Sequence, residues 1–236
     1  MLEVKNTEVA FLGRAIKATN NAYNIGAIDT RWAELDFISE DSFKEVNNNE
    51  DIKNQIKPYV VTLGSNTEHH QSHDSWLRGV RVCADIKYPR CVSPEMQRYH
   101  FFEIISSQST MHTLLKVISK PEEELKEHFD TYVLKSVVQD LKDLVEVYNS
   151  MVECNKNEVD PEIKEIRSKE IENTFRIIKS NLPEGYELWM TIETNYLQLK
   201  TMLVQRTNHR MSWAWEPFCE WIHSLPLFDY LTQKGE

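Results

Sequence analysis

The clearest periodic pattern in the chain is the alternation of apolar and polar residues in the segment VRVCADIKY. Val80, Val82, Ala84, Ile86 and Tyr88 fall on one face of an extended chain. Because successive side chains of a strand point to opposite faces, this spacing predicts a β-strand with one buried side. A later segment, YELWMTIET, is predicted to form a second strand or extended piece.

Apolar residues that recur every three or four positions predict two long amphipathic helices. The first is expected from Pro121 to about Met151, and the second from roughly Pro161 to Lys179. The segment NYLQLKTMLVQR should form a helix that ends near Arg206, and EPFCEWIHSL should form the last helix. The pattern therefore indicates a helix-rich α+β protein.

A short helix is expected directly after the first strand. Ser93 stands at a predicted N-cap and Pro94 at the first helical position, and this helix should carry Arg98. The most polar segment, SEDSFKEVNNNEDIKNQIKP at 39–58, is expected to be an insertion or a long surface loop. Without a linker or a repeat, we expect a single domain over residues 1–236.

Length and charge narrow the classes of function. The chain has 236 residues, of which 41% are hydrophobic, enough for one sizeable core. Its 27 basic and 37 acidic residues give a net charge of −10, which argues against a partner that is a nucleic-acid polymer. No apolar run reaches the roughly 18 residues of a membrane span, and the opening MLEVKNTEVAF lacks the form of a signal peptide, so a cytosolic protein without a membrane partner is expected.

Several common chemistries are excluded by missing motifs. The chain has only six glycines and contains neither GxGxxG nor GxxxxGK[ST], so a bound nucleotide would need side chains as phosphate ligands. It also lacks HExxH and GxSxG. The cluster HHQSH is the one metal-like feature, in which His69 or His70 could share a helical face with His73. A polar loop without a metal is the favoured interpretation, and metal hydrolysis is the alternative.

The segment QRYHFFEIISSQSTMH gathers polar and charged side chains around an apolar run. Arg98, Tyr99 and His100 offer a cation, a ring and a further donor for a phosphate or a planar ring. The alternative is an ordinary helix end with a solvated arginine. The hydroxyl groups at positions 106, 107, 109 and 110 could hold a phosphate together with backbone N–H groups, or they form a polar loop.

Two blocks of the sequence, in this order, resemble the flavin-dependent thymidylate synthase family. In the first block, His73-Asp74-Ser75 is followed by a strand, a helix and then Arg98. Arg98 stands at the first position of a family motif that consists of Arg-His-Arg, seven further residues and a serine. In the second block, Leu182-Pro183 is followed by a strand, an Asn195-initiated helix, and Arg206 and Trp213 at matching spacing.

The resemblance implies an α/β (α+β) fold, a mixed sheet with packed helices, assembled as a homotetramer whose flavin and nucleotide sites are shared between subunits. It implies FAD as cofactor, with NADPH and methylenetetrahydrofolate as co-substrates. The implied reaction is transfer of a one-carbon unit to C5 of dUMP or a similar pyrimidine nucleotide, by methylation or hydroxymethylation. In such enzymes the flavin and the folate carry the chemistry, while the protein binds and orients.

The resemblance also assigns site residues. For the flavin they are His73, Ser75, Arg98, Tyr99, His100 and Asn195, and for the nucleotide they are Ser107, Gln108, Ser109, Thr110, Lys179 and Arg206. The chain departs from the family pattern at several of them. Tyr99-His100 replaces His-Arg, Gln108 stands at the serine, Thr110 at an arginine that binds phosphate, and Leu197 at an arginine that contacts the flavin. These changes keep open a non-catalytic or repurposed nucleotide-binding or interaction protein that retains the fold.

Overall fold

Five strands form one sheet in the computed structural model, which describes residues 2–23, 30–65 and 73–233. The strands are β1 (Glu3–Ala10), β2 (Phe37–Ser39), β3 (Arg81–Pro89), β4 (Glu103–Ser107) and β5 (Glu187–Asn195). Their order across the sheet is β2-β1-β3-β5-β4.

Neighbouring strands run in opposite directions. β1 pairs antiparallel with β2 and with β3, and β4 pairs antiparallel with β5. Beside the ends of β3 and β5, the N–H of Tyr196 donates to the carbonyl of Val80 and the N–H of Arg90 donates to that of Tyr186, an antiparallel relation. The expected mixed sheet is therefore wrong in this respect, because the connections return each strand opposite to its neighbour. The helix-rich α+β class is confirmed.

Helices separate the strands along the chain. The α-helices are α1 (Leu12–Ala18), α2 (Phe43–Asn48), α3 (Glu50–Gln55), α4 (Pro58–Gly64), α5 (Ser93–Met96), α6 (Thr110–Ile118), α7 (Glu122–Leu125), α8 (Lys135–Lys156), α9 (Pro161–Ser180), α10 (Tyr196–Arg206), α11 (Ser212–Ser224) and α12 (Phe228–Thr232). Short 3-10 helices cover Thr19–Tyr23, Thr30–Leu35, Glu40–Ser42, Ser75–Gly79, Arg90–Val92 and Lys126–His128.

Both strands predicted from the sequence are present. β3 lies between β1 and β5 in the sheet, and its alternating side chains Val82, Ala84, Ile86 and Tyr88 are buried as the pattern predicted. The segment YELWMTIET lies within and just before β5, so that prediction is also confirmed. An apolar face with period two was sufficient to identify these strands.

The long helix expected over 121–151 is interrupted. It breaks after α7, and α8 begins only at Lys135, because Phe129 forms an isolated bridge with Tyr186 and the N–H of Asp130 donates to the carbonyl of Gly185 at 2.8 Å. A Cβ at Gly185 would clash with the Cγ2 atom of Val133, so the close approach requires glycine. The second long helix is confirmed as α9, where Asp160 caps the first turn.

The end of α10 at Arg206 agrees with the sequence prediction, and the side chain of Asn195 caps its start by accepting from the N–H of Gln198. The expected helix carrying Arg98 is wrong, since α5 ends at Met96 and Arg98 lies in the following turn. The N–H of Tyr99 donates to the carbonyl of Met96, a three-residue spacing that tightens the chain and ends the α-helix. α11 begins before the predicted last helix, at Ser212.

The polar segment 39–58 is not a long loop. It contains α2 and α3 and leads into α4, and the side chain of Asn49 caps α3 by accepting from the N–H of Ile52 at 3.1 Å. Phe43 and Ile56 are buried, so two apolar anchors hold an otherwise polar segment against the protein. Because α2 buries only Phe43 and α3 buries none of its residues, their hydrophobic pattern was too sparse to be recognised.

The described residues form two compact units. One comprises the described residues of 1–88, 94–107 and 189–236 and includes most of the sheet, and the other comprises 89–93 and 108–188. The second unit has a core of its own, formed by Leu114, Val117, Ile118, Leu125, Phe129, Leu141, Val145, Ile178, Leu182 and Tyr186. Two compact units can belong to one folding domain, so the single domain stays a prediction.

None of the described helices combines the length and the apolar character that crossing a membrane requires. The cytosolic location stays a prediction.

Candidate functional site

Thr110 and Lys179 meet at the start of a helix in the second unit. α6 begins at Thr110, and no side chain caps its first turn. The ammonium group of Lys179, near the end of α9, donates a hydrogen bond to the hydroxyl of Thr110. The two residues were assigned to the nucleotide site on separate parts of the sequence, and the fold brings them together.

A second cation raises the positive potential around Lys179. Burial first, and then the charge of Arg90, lower the pKa of the Lys179 ammonium. Arg90 itself is held through Nη1, which donates to the carbonyl of Leu182 at 2.7 Å, while Nη2 lies 3.7 Å from the carboxylate of Glu184. A desolvated lysine beside an arginine at a helix start is an environment that favours an anion. Sequence reasoning missed Arg90, whose only signal was its position directly after β3.

The residues before α6 present further polar atoms. Ser107 ends β4 and is exposed, and Ser109 is half-buried. The carbonyl of Ser109 accepts from the hydroxyl of Thr113 at 2.7 Å, which fixes the turn that leads into the helix. The Oε1 atom of Gln108 is buried and accepts no hydrogen bond from a described residue. An unpaired buried acceptor of this kind costs free energy unless a ligand donates to it.

In the first unit, Arg206 and Tyr99 belong to one hydrogen-bonded cluster. Nε of Arg206 donates to the hydroxyl of Tyr99 at 2.7 Å, and that hydroxyl donates to Oε1 of Gln205 at 3.0 Å. Burial raises the pKa of Tyr99, against the opposing effect of the Arg206 charge. Tyr99 therefore remains a neutral phenol whose hydroxyl is fully used inside the protein.

Glu95 supplies the charge that balances Arg206. Nη1 of Arg206 donates to Oε2 of Glu95 at 2.5 Å, and the same oxygen accepts from the indole N–H of Trp215 at 3.2 Å. The guanidinium lies 4.3 Å from the centroid of the Trp215 ring, within the range of a cation–π contact. Nη1 also lies 3.1 Å from Nε2 of His209. This role of Glu95 had no signal in the sequence beyond its place in the first turn of α5.

Four residues that the resemblance assigned to the flavin lie on the surface. The side chains of His73, Ser75, Arg98 and His100 are all exposed. Arg98 forms no ion pair within the part of the chain that the structure describes. His100 makes an edge contact with the ring of Phe101, at 4.6 Å between centroids.

Asn195 and Asp74 have structural partners. Asn195 is buried, and its Oδ1 accepts from the backbone N–H of Gln198 at 3.0 Å. Asp74 lies between His73 and Ser75 in the first sequence block, and its carboxylate accepts from the ammonium of Lys200 at 2.8 Å. The same ammonium donates to the carbonyl of Gly64 at 2.8 Å. This ion pair anchors the first block to α10 and to the end of α4.

A small cavity adjoins Ser75. It has a volume of about 380 Å³ and is lined by Phe11, Arg14, Ser75 and Trp76, together with three small residues, Ala15 and Ala18 of α1 and Gly79 of the 3-10 helix Ser75–Gly79. The indole N–H of Trp76 is buried and donates to no described acceptor. An aromatic wall, a cation and an unused N–H donor suit part of a planar, hydrogen-bonding ligand.

A metal site finds no support in the described residues, which contain no group of three or more His, Cys, Asp or Glu side chains placed to hold a metal ion. His69 and His70 of the HHQSH cluster lie outside the described residues.

Comparison with known proteins supports the fold. No protein-family model matches the chain, and no curated protein matches it. Among solved structures, the chain is similar to two structures of the flavin-dependent thymidylate synthase ThyX from Helicobacter pylori, each complexed with FAD and dUMP. The first gives a TM-score of 0.60 at 16% identity over 98% of this chain and 100% of that chain. The second gives 0.58 at 16% identity over 98% and 97%. The expected thymidylate synthase-like fold is confirmed.

Proposed function

We propose that this protein is a FAD-dependent enzyme that transfers a one-carbon unit from methylenetetrahydrofolate to C5 of a dUMP-like nucleotide, with NADPH as reductant. The observation that carries the proposal is the meeting of Thr110 and Lys179 at the start of α6, in a chain similar over 98% of its length to enzymes that bind FAD and dUMP. These two residues come from the two separate blocks on which the resemblance rests.

The nucleotide phosphate would bind at the start of α6. Lys179 supplies the cation, Thr110 and Ser109 supply hydroxyls, and unpaired backbone N–H groups of the first turn add donors. Arg90 keeps the local potential positive. The free Oε1 of Gln108 is a suitable acceptor for a pyrimidine or ribose N–H or O–H group. Lysine and hydroxyls in place of an arginine fork predict a weaker phosphate contact than the family pattern would give.

The cavity beside Ser75 would hold part of the flavin. The orphaned indole N–H of Trp76 can donate to a ring oxygen or nitrogen, and Phe11 offers an apolar face. Arg98 and His100 are exposed and free to reach a phosphate or a ring carbonyl. The flavin would supply hydride transfer, while these side chains bind and orient it.

Arg206 supports a second candidate function. The resemblance assigns it to the pyrimidine, yet its Nε and Nη1 are used by Tyr99 and Glu95 and its side chain is only 11% exposed. Together with threonine at position 110, this favours a repurposed nucleotide-binding protein that retains the fold without turnover. The two candidates differ in flavin binding and in reduction of the folate-derived carbon.

Turnover separates the two functions. Purified protein with FAD and methylenetetrahydrofolate should oxidise NADPH in a dUMP-dependent manner and form a C5-substituted nucleotide detectable by chromatography. Bound dUMP without product would instead establish the repurposed binding protein. If the protein does not bind FAD and dUMP does not protect it against thermal unfolding, both candidate functions are refuted.

A pair of variants tests the flavin contact. Arg98→Ala should abolish flavin retention with an unchanged melting temperature, because the exposed side chain contributes little to the fold. The matched control is Arg210→Ala, which removes another exposed arginine of the same unit and should bind flavin normally. Equal flavin binding by both variants would show that Arg98 is not a ligand.

Light scattering on the same samples tests the homotetramer that the resemblance implies.

A further inference from the structure

A cavity in the second unit lies apart from every residue assigned to the flavin or the nucleotide. It has a volume of about 590 Å³, within the range of small-molecule sites. It is formed where the long helix expected from the sequence is broken, between α7, the connecting segment and the first two turns of α8. Its wall residues are Glu122, Leu125, Lys126, Phe129, Asp130, Thr131, Lys135, Ser136, Val138, Gln139 and Lys142.

The cavity has an apolar floor. Leu125 and Phe129 are buried members of the core of this unit, and Val138 packs against that core. In the connecting segment, between the lining residues Thr131 and Lys135, Tyr132 and Leu134 are 90% and 68% exposed. Large apolar side chains at such exposure beside a concave apolar floor indicate a surface suited to an apolar molecule.

The rim carries positive charge that the protein does not neutralise. Lys135 and Lys142 form no ion pair with any described residue. Glu122 lies 3.9 Å from the ammonium of Lys126, whereas Asp130 accepts from the N–H of Tyr132 at 2.9 Å and keeps its charge. Three lysines of the wall, Lys126, Lys135 and Lys142, stand against these two carboxylates, so the wall keeps a net charge of +1. Seven residues of helix place the two free lysines about 10 Å apart along one side of the cavity, with Val138 between them.

The start of α8 adds to this potential. The helix has 22 residues, no acidic residue in its first turn and no side chain that caps it, and the residue at its N-cap is Leu134. Its first two residues, Lys135 and Ser136, line the cavity, and no side chain caps their N–H groups. Lys135, Lys142 and the start of α8 all favour a negatively charged ligand.

We propose that this cavity binds a small amphiphilic anion, in which an apolar body contacts Phe129 and Val138 and a single acidic group lies near Lys135, Lys142 and the start of α8. The site does not rest on the proposed function, since none of its residues belongs to the flavin or nucleotide clusters. Carboxylate, sulfonate and phosphate share the required charge, and the apolar body supplies the rest of the affinity.

Two probes test the ligand class. The fluorescent sulfonate 1-anilinonaphthalene-8-sulfonate should bind the full-length protein with a saturable increase in emission at one site. Octyl phosphate should displace it, whereas octanol should displace it at least tenfold less effectively. Neither FAD nor dUMP should displace it. No saturable binding, or equal displacement by octanol, would overturn the proposal.

Variants test the location. The double substitution Lys135→Ala and Lys142→Ala should weaken probe binding at least tenfold, while the control pair Lys164→Ala and Lys169→Ala on α9 should leave it unchanged. Ser136→Asp provides a sharper test, because an acidic group in the first turn stabilises the helix while repelling an anion. It should abolish probe binding without lowering the melting temperature. Unchanged binding by Ser136→Asp would exclude this cavity as the site.

Discussion

The most direct structural prediction concerns the part-buried ion pair between Glu95 and Arg206. Glu95→Gln keeps the shape and the acceptor atom but removes the negative charge, so the Arg206 guanidinium is left without a counter-charge at 11% side-chain exposure. Breaking a buried pair by removing one partner typically costs about 3–5 kcal/mol. Glu95 is 25% exposed and the contact with Trp215 at 4.3 Å persists, so we expect a loss of about 2–3 kcal/mol.

Urea unfolding followed by tryptophan fluorescence measures this loss, because Trp215 lies in the cluster. For a chain of 236 residues the same loss corresponds to a fall in melting temperature of roughly 5–10 °C. The matched control is Glu193→Gln, which neutralises the pair with Arg81 in the same unit at 37% and 42% exposure and should cost less than about 1 kcal/mol. A loss from Glu95→Gln no larger than that of the control would refute the view that Arg206 is a structural residue.

Three further predictions concern single side chains. Tyr186→Phe should raise the free energy of unfolding at pH 7 by about 1–2 kcal/mol, because the buried hydroxyl has no described partner. Burial raises the pKa of Tyr186 to about 12, so the wild type should lose up to about 3 kcal/mol more than the variant as the pH rises from 10 to 12, measured by urea unfolding. Lys179→Met should weaken dUMP binding in calorimetry without loss of stability, since folding lowers the pKa of Lys179. For the same reason the wild type should gain stability as the pH rises through that lowered pKa toward 10.5. A destabilised variant with normal dUMP binding would contradict this prediction. Asn195→Ala should cost about 1 kcal/mol through loss of the α10 cap, and a loss of flavin beyond that shown by a cap-preserving Asn195→Asp variant would identify it as a ligand.

Local patterns predicted the elements that bury one continuous face. The strand at Val80–Tyr88 and the helix at Pro161–Ser180 each repeat their apolar residues at the period of their structure, so both were recognised. The break between α7 and α8 was not, because the apolar spacing continues through Phe129. It depends on a bridge to Tyr186, more than fifty residues later, which no local window contains.

Sequence patterns likewise identified only some residues of the candidate site. Spacing and motif order identified Thr110 and Lys179, which the fold brings into contact. Arg90, Glu95 and Trp76 were missed, because their roles come from tertiary neighbours rather than from a pattern in the sequence. Tyr99 illustrates the reverse, since a residue assigned to a ligand is used inside the protein by Arg206 and Gln205.

The most direct test of the proposed function is a titration of the freshly purified full-length protein with FAD, followed by dUMP, monitored by flavin absorbance and fluorescence. The proposal predicts saturable binding of FAD to a defined end point and a further spectral change when dUMP binds. A colourless protein whose addition leaves the flavin signal unchanged, with or without dUMP, would contradict the FAD-dependent enzyme and limit the likeness to the fold.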